Sequence, residues 1–312
     1  MPSFAASQTT AVPRKRFLTR IGTVFENEQV LGYLVIAPAL LLLLVLVAYP
    51  FFIAIGLSLQ NKVIGKPGTF VGLKNFWTLL DSQIFRQTLQ NSFVFTFSSV
   101  TLKVVFGMIL ALLLNRSIRG QKFFRGAILL PWIVPTALST LAFLWIFDAT
   151  YSIINWVLLR LGIIKQGILW LGKPHWAMLS VIIVNTWRGM PFFAISILAG
   201  LVSIPQELYE AAKTDGAGPL TQFWYITLPL LKPVLMIVIL FSTIFTFSDF
   251  NIVYVLTRGG PTNSTHLFAT YAYQTGLVTA RIGEGAAISL FLFPVLVVVV
   301  FFQLRLLRRE EY

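Results

Sequence analysis

Six long apolar runs dictate what this chain can become: about residues 31–59, 91–114, 127–147, 176–201, 230–256 and 285–306. Each is long enough to cross the hydrocarbon of a bilayer, which takes about 20 residues of helix. With no water to bond the backbone there, N–H and C=O groups must pair within the segment, so the runs read as helices. Composition agrees: 57% of the 312 residues are hydrophobic and 11% are charged, whereas soluble domains carry about 25% charged residues. The expected fold class is all-α, a polytopic membrane protein of six transmembrane helices. The formal net charge of +13 does not call for nucleic acid, because the basic residues gather at the ends of apolar runs, where membrane topology places them. The chain has no cysteine, which removes disulfides, thiolate nucleophiles and Cys-ligated metals.

Basic density orients the spans. Arg14, Lys15, Arg16 and Arg20 lie in a polar tail, residues 1–29, that has no apolar core of a cleavable signal. Arg116, Arg119, Lys122 and Arg125 crowd one short turn, and Arg305, Arg308 and Arg309 close the chain. These three places read as cytoplasmic, with residues 30–308 as the membrane domain and 309–312 as the C-terminal end. Outer loops then fall at 60–89, 148–175 and 257–283, the last with a tight turn at Gly259-Gly260-Pro261-Thr262-Asn263. Pro38 and Pro50 are expected to kink the first span, Pro131 and Pro135 to break the third, and Gly189-Met190-Pro191 to break the fourth.

The interval 203–229 is polar and punctuated by Gly and Pro between two apolar runs. Ser203 and Gln206 have capping-box spacing, and Pro205 suits a first helical turn. Ala211 and Ala212 are small enough for another surface to approach closely. Gly216 and Gly218 end that helix by permitting positive φ. A second short helix is expected from Pro219 to about Ile226, with Leu220, Phe223 and Trp224 on one face, and Pro229 is expected to start the next span. Glu210-Ala211-Ala212, Asp215-Gly216-Ala217 and Ile226-Thr227-Leu228-Pro229, in this spacing, resemble the EAA loop of permease subunits of bacterial ABC importers. Over about residues 30–308 the chain resembles the carbohydrate-uptake branch, the maltose and glycerol-phosphate type, to which Asn75-Phe76 adds a further match.

The resemblance implies a permease domain at 30–308 in a bacterial inner membrane, with both termini cytoplasmic. It implies a second, related permease as heterodimer partner. Two ATP-binding cassette ATPase subunits would grip Glu210, Ala211, Ala212, Asp215, Gly216 and Ala217. A soluble substrate-binding protein would deliver a sugar-like solute to the outer loops. ATP and Mg would be bound by the ATPase partners, with no cofactor in this chain. The sequence itself holds no Gly-x-x-x-x-Gly-Lys-Ser/Thr and no His-Glu-x-x-His. An enzyme is therefore not expected. His175 and His266 read as solvated loop residues.

Polar groups inside spans usually face a cavity or a partner. Four places stand out. In Pro131-Trp132-Ile133-Val134-Pro135-Thr136 the prolines free carbonyls and Trp132 offers a flat ring to a sugar face, or is simply an interfacial Trp on a kinked helix. Asn185-Thr186-Trp187-Arg188-Gly189 carries a deep guanidinium, costing about 2.5–3.5 kcal/mol on insertion scales. Ser242, Thr246 and Asp249 have one-face spacing. Lys103 lies midway along the second run and reads as a lysine that faces the bundle or a partner and bonds carbonyls, in preference to a role toward the substrate. The family's sugar site, carried onto matching positions, gives Trp132, Thr136, Asn185, Arg188, Gly189, Ser242, Thr246 and Asp249. The charges at Arg188 and Asp249 depart from the uncharged maltose pattern. Either the two pair with each other, or Arg188 meets a neutral sugar or an anionic group such as phosphate, sulfonate or carboxylate. Two further readings stay open: an ion-coupled transporter using Asp249, and a non-transporting membrane scaffold.

Overall fold

The computed structural model describes residues 28–116 and 119–308. The basic tail with Arg14, Lys15, Arg16 and Arg20, and the C-terminal end with Arg309, lie outside the described residues. The protein is helical, apart from a two-stranded antiparallel ribbon of β1 (Gln60–Asn61) and β2 (Thr69–Phe70), with Gln60 opposite Phe70. Among the described residues five helices are, by length and composition, long and apolar enough to cross a membrane, or six if one bent pair counts as a span.

The chain divides into two compact units, residues 1–54 and 55–312. Helix α1 (Gln29–Ser58) begins in the first unit and is apolar throughout. A wide turn at Leu44–Ala48 falls just ahead of Pro50, which cannot donate to the carbonyl four residues back.

In the second unit, α2 (Lys74–Asp81) leads into α3 (Gln83–Asn115). The side chain of Asn75 donates to the carbonyls of Ser58, at 2.7 Å, and Gln60, at 2.9 Å, which fastens the outer ribbon to α2. The second span thus starts several residues earlier than the apolar run suggests, because Ser82 caps it through the N–H of Phe85. Next come α4 (Gln121–Ala127) and α5 (Leu130–Ile133), then α6 (Thr136–Ile146), α7 (Ile153–Arg160) and α8 (Pro174–Ser203). The segment Gln121–Ile133 meets α6 at 90°, so the break expected at Pro135 is present. The break expected at Gly189-Met190-Pro191 is not: α8 runs unbroken through it. Pro191 removes one backbone bond, and packing on neighbouring helices holds the rest.

Helices α3 and α8 form the centre. Gly107 is what lets them close: a Cβ there would run into the Cβ of Phe193. Around that contact Met108, Ala111, Leu114, Ile197, Leu198 and Leu231 are buried together. A second cluster, with Phe95, Phe147, Trp170, Val181 and Ile252, fills the other end.

The 203–229 loop differs from expectation in three ways. Ser203 ends α8, its hydroxyl donating to the Gly200 carbonyl at 2.8 Å, and caps nothing. Pro205 precedes α9 (Gln206–Thr214) instead of lying in it. Finally, the second short helix is continuous with the fifth span as α10 (Pro219–Phe247). A wide turn at Phe223–Thr227 falls just ahead of Pro229, which cannot donate to the carbonyl four residues back. The fifth span also stops at Phe247 instead of reaching Leu256. Ser248, Asp249 and Phe250 leave the helix before α11 (Asn251–Leu256). A short helix, α12 (Phe268–Tyr273), and α13 (Ile282–Arg308) complete the chain.

His266 corrects another expectation. It is 4% exposed and lies under the 257–263 turn, where a Cβ at Gly259 would strike its ring. Burial pushes its imidazole pKa down to about 4. His175 is exposed, as expected.

Candidate functional site

The eight residues singled out from three separate spans line one cavity of about 480 Å³. Trp132 on α5 and Thr136 at the start of α6 stand on either side of the 90° break. Asn185, Arg188 and Gly189 share a face of α8 by their spacing of three and four. Ser242 and Thr246 come from α10. Asp249 reaches the cavity from the break between α10 and α11, not from a continuing helix face. Its Oδ1 accepts the Ile252 N–H at 3.1 Å, which helps to start α11.

Of the alternatives left open for Arg188, the ion pair with Asp249 is not formed. Asp249 Oδ2 instead accepts from Asn185 Nδ2 at 3.0 Å. Among the described residues Arg188 makes no ion pair, and its Nε is buried without a hydrogen-bond partner, as is Asn185 Oδ1. Trp132 is half exposed and stacks on Phe192 with centroids 6.2 Å apart and planes 21° apart. Phe192 thus backs the indole, which lines the cavity.

Sequence reasoning left Lys103 out of the site. Its side chain is 4% exposed, and its ammonium donates to Thr246 Oγ1 at 2.9 Å and Ser242 Oγ at 3.5 Å. It therefore bonds hydroxyls, not carbonyls, and stands on the cavity wall. Phe192, Phe245 and Phe250 were also missed. Phe192 lies four residues after Arg188, so helical spacing offered a signal for it. Lys103 offered its depth in an apolar run, but nothing in the sequence ties its register to α10. Among the described residues no group of three or more His, Asp and Glu is placed to hold a metal ion.

The second candidate region is at the end of α8. The chain closes α9 at Gly216, which has φ +83°, and Ala217 N–H reaches back to the Ala212 carbonyl at 2.8 Å. Glu210, Ala211, Asp215 and Gly216 are exposed, while Ala212 and Ala217 are half-buried. The Tyr209 hydroxyl meets Thr227 Oγ1 at 3.0 Å and ties this helix to α10, and Gln222 Nε2 donates to the Ala217 carbonyl at 2.8 Å in the turn that follows it.

Residues 103–312 match the family of inner membrane components of binding-protein-dependent transport systems. The chain belongs to that family. Among curated relatives, this permease is 36% identical to the sulfoquinovosyl glycerol transport system permease protein of Agrobacterium fabrum, over 91% of its own length and 92% of the relative's. It is 39% identical to the trehalose/maltose transport system permease protein of Thermococcus litoralis, over 86% and 90%. Its fold matches a chain of a bacterial alginate ABC transporter crystallised with a pentasaccharide-bound periplasmic protein. That likeness has a TM-score of 0.78 at 23% identity, covering 96% of the permease and 98% of the other chain. Membership settles the choice left open by the sequence in favour of binding-protein-dependent transport across an inner membrane, and places this multi-pass permease among transporter subunits, not enzymes.

Proposed function

We propose that this permease carries a sugar or sugar derivative with an anionic group into the cytoplasm, through the cavity lined by Trp132, Thr136, Asn185, Arg188, Gly189, Ser242, Thr246 and Asp249. The observation that carries the reading is the convergence of these residues from three spans on one cavity. A Trp ring on the cavity wall suits a sugar ring. The buried, unpaired Nε of Arg188 suits an anion, since guanidinium binds carboxylate, sulfonate and phosphate oxygens in a fixed fork. Two relatives at 36% and 39% identity are named for sugar-containing solutes.

Energy enters from partners. Two ATPase subunits, which hold the ATP and Mg, dock on α9 and the turn at Gly216. A second permease completes the pathway, and a soluble binding protein hands solute to the outer loops. Both termini are cytoplasmic, on the side of α9. Helix α9 follows directly on α8, whose Arg188 lies about 22 Å up the helix at ~1.5 Å per residue. It is also bonded to α10, which carries Ser242 and Thr246. Closure of the ATPases would therefore move two walls of the cavity together, and hydrolysis would reset them.

The test is ATPase activity of the purified assembly in lipid, with its binding protein and a panel of neutral and anionic sugars. Stimulation by anionic sugars is expected. Stimulation by neutral sugars alone would overturn the anionic assignment, and indifference to every sugar would overturn the solute class.

A further inference from the structure

Lys103 is buried on the wall of the cavity. A lysine midway along a span is expensive unless it faces a cavity or a partner group, and two features show that this one is seated. First, its ammonium has three N–H donors. Thr246 and Ser242 accept two of them, at 2.9 and 3.5 Å. Second, its stem fills a notch that exists only because residue 189 is glycine. A Cβ at Gly189 would lie 2.6 Å from Lys103 Cε, 2.8 Å from Cδ and 3.1 Å from Nζ. Distances that short leave no room for both groups, so alanine at 189 would push the ammonium from its place.

Charge then decides what the seat is for. Among the described residues the charged groups on the cavity wall are Lys103, Arg188 and Asp249. That is two cations against one carboxylate. The carboxylate is already engaged by Asn185 Nδ2 and the Ile252 N–H. Buried charge left without a counter-charge is strongly unfavourable, so a wall with one cation in excess is built for an anion that arrives with the solute.

We infer that Lys103 is a specificity-determining residue of this cavity: with Arg188 it tunes the wall for a solute bearing a single anionic group, Asp249 balances one of the two cations, and Gly189 is the notch that holds the lysine in place. This rests on the reading of the cavity as the solute site. A lysine serving only as a strut between α3 and α10 would support every solute alike. A lysine that sets charge selectivity would favour one class.

The experiment uses the whole transporter in lipid vesicles with its ATPases and binding protein. Three probes share one skeleton: methyl glucoside, methyl glucuronide and methyl glucoside 6-phosphate. The readout is the KM of solute-stimulated ATPase activity, taken as a ratio between probes, which does not depend on how much protein folds. The wild-type protein should prefer the glucuronide. Lys103→Met should raise the glucuronide KM about ten- to hundredfold relative to the glucoside, the loss expected of one hydrogen bond to a charged group. Gly189→Ala should shift the ratio in the same direction. Lys103→Met combined with Asp249→Asn restores one excess cation and should recover much of the glucuronide preference. An unchanged ratio in Lys103→Met, or a wild-type preference for the glucoside, overturns the inference while leaving the solute site standing. A wild-type preference for the doubly charged phosphate overturns the single-charge assignment. Stimulation by none of the three counts against the sugar reading itself and takes this inference with it.

Discussion

The cavity and the loop at α9 are built in opposite ways. The cavity draws Lys103, Trp132, Arg188, Thr246 and Asp249 from positions spread over most of the second unit, and it gathers a buried lysine and two half-buried charged side chains in a greasy bundle. The loop uses one contiguous stretch, leaves Glu210, Ala211 and Asp215 exposed, and is shaped by local bonds around one left-handed glycine. A site made of distant parts can be tuned one contact at a time. A site made of one stretch is either the right shape or not.

Substitutions can break or sharpen that contrast. The largest effect on transport is expected from Gly216→Asp. The space around Gly216 is open, so nothing clashes, and the left-handed φ alone costs about 1–2 kcal/mol for a side chain. Uptake should nonetheless fall about a hundredfold, with loss of the co-purified ATPase subunits, because the change alters both shape and charge on the docking surface. A variant that still co-purifies with its ATPases and transports normally would sink the coupling assignment.

Arg188→Gln comes next and touches only the cavity. Here the ATPases should stay bound, while the KM for anionic sugars rises about ten- to hundredfold from the loss of a charge-assisted bond. Loss of ATPase binding in this variant would mean that the two regions are not separable.

Tyr209→Phe probes the link between them. Removing the hydroxyl that meets Thr227 Oγ1 at 3.0 Å should cost about 1 kcal/mol. Uptake is expected to drop a few-fold with the solute KM unchanged. A shifted KM with normal turnover would place the effect in the cavity instead.

His266→Gln should have the smallest effect on transport at pH 7, and a clear one on stability as pH falls. Burial holds the folded-state pKa near 4, below the unfolded value of about 6.5. The unfolded chain therefore binds the proton first, and stability declines as pH drops from about 6.5 toward 4, by about 3 kcal/mol in all. A thermal melt series across that range should slope downward for the wild-type protein and flatten in the variant. Equal slopes would show that other groups carry the acid sensitivity.

Most of the fold was legible, because a bilayer leaves few options. Apolar runs of spanning length, the break at Pro135 and the turn at Gly259–Asn263 appear in the structure, while Pro131 sits in the first turn of α5 without breaking it. Misreadings cluster where packing overrides local preference. Pro191 looks like a helix breaker, but α8 is held along its length by α3. Ser203 looks like a cap, but its hydroxyl finds a carbonyl of the preceding turn first. His266 looks solvated because it sits in a polar loop, yet the loop folds over it. The candidate site was legible as a set of residues and not as a set of contacts.

The sequence by itself determined that this chain crosses a membrane as helices and that it carries an EAA-type stretch between its fourth and fifth spans. Both follow from patterns read along the chain, from hydropathy over about 20 residues and from fixed spacing within one loop. Only the tertiary structure decided who partners whom. Arg188 and Asp249, for which pairing is one open reading of the sequence, form no ion pair, with Asp249 held by Asn185, and Lys103 reaches α10 across the notch at Gly189. Such pairings depend on the rotation and depth of one helix against another. Those are fixed by close contacts such as Gly107 against Phe193, and apolar runs that are uniformly greasy carry too little periodicity to specify them.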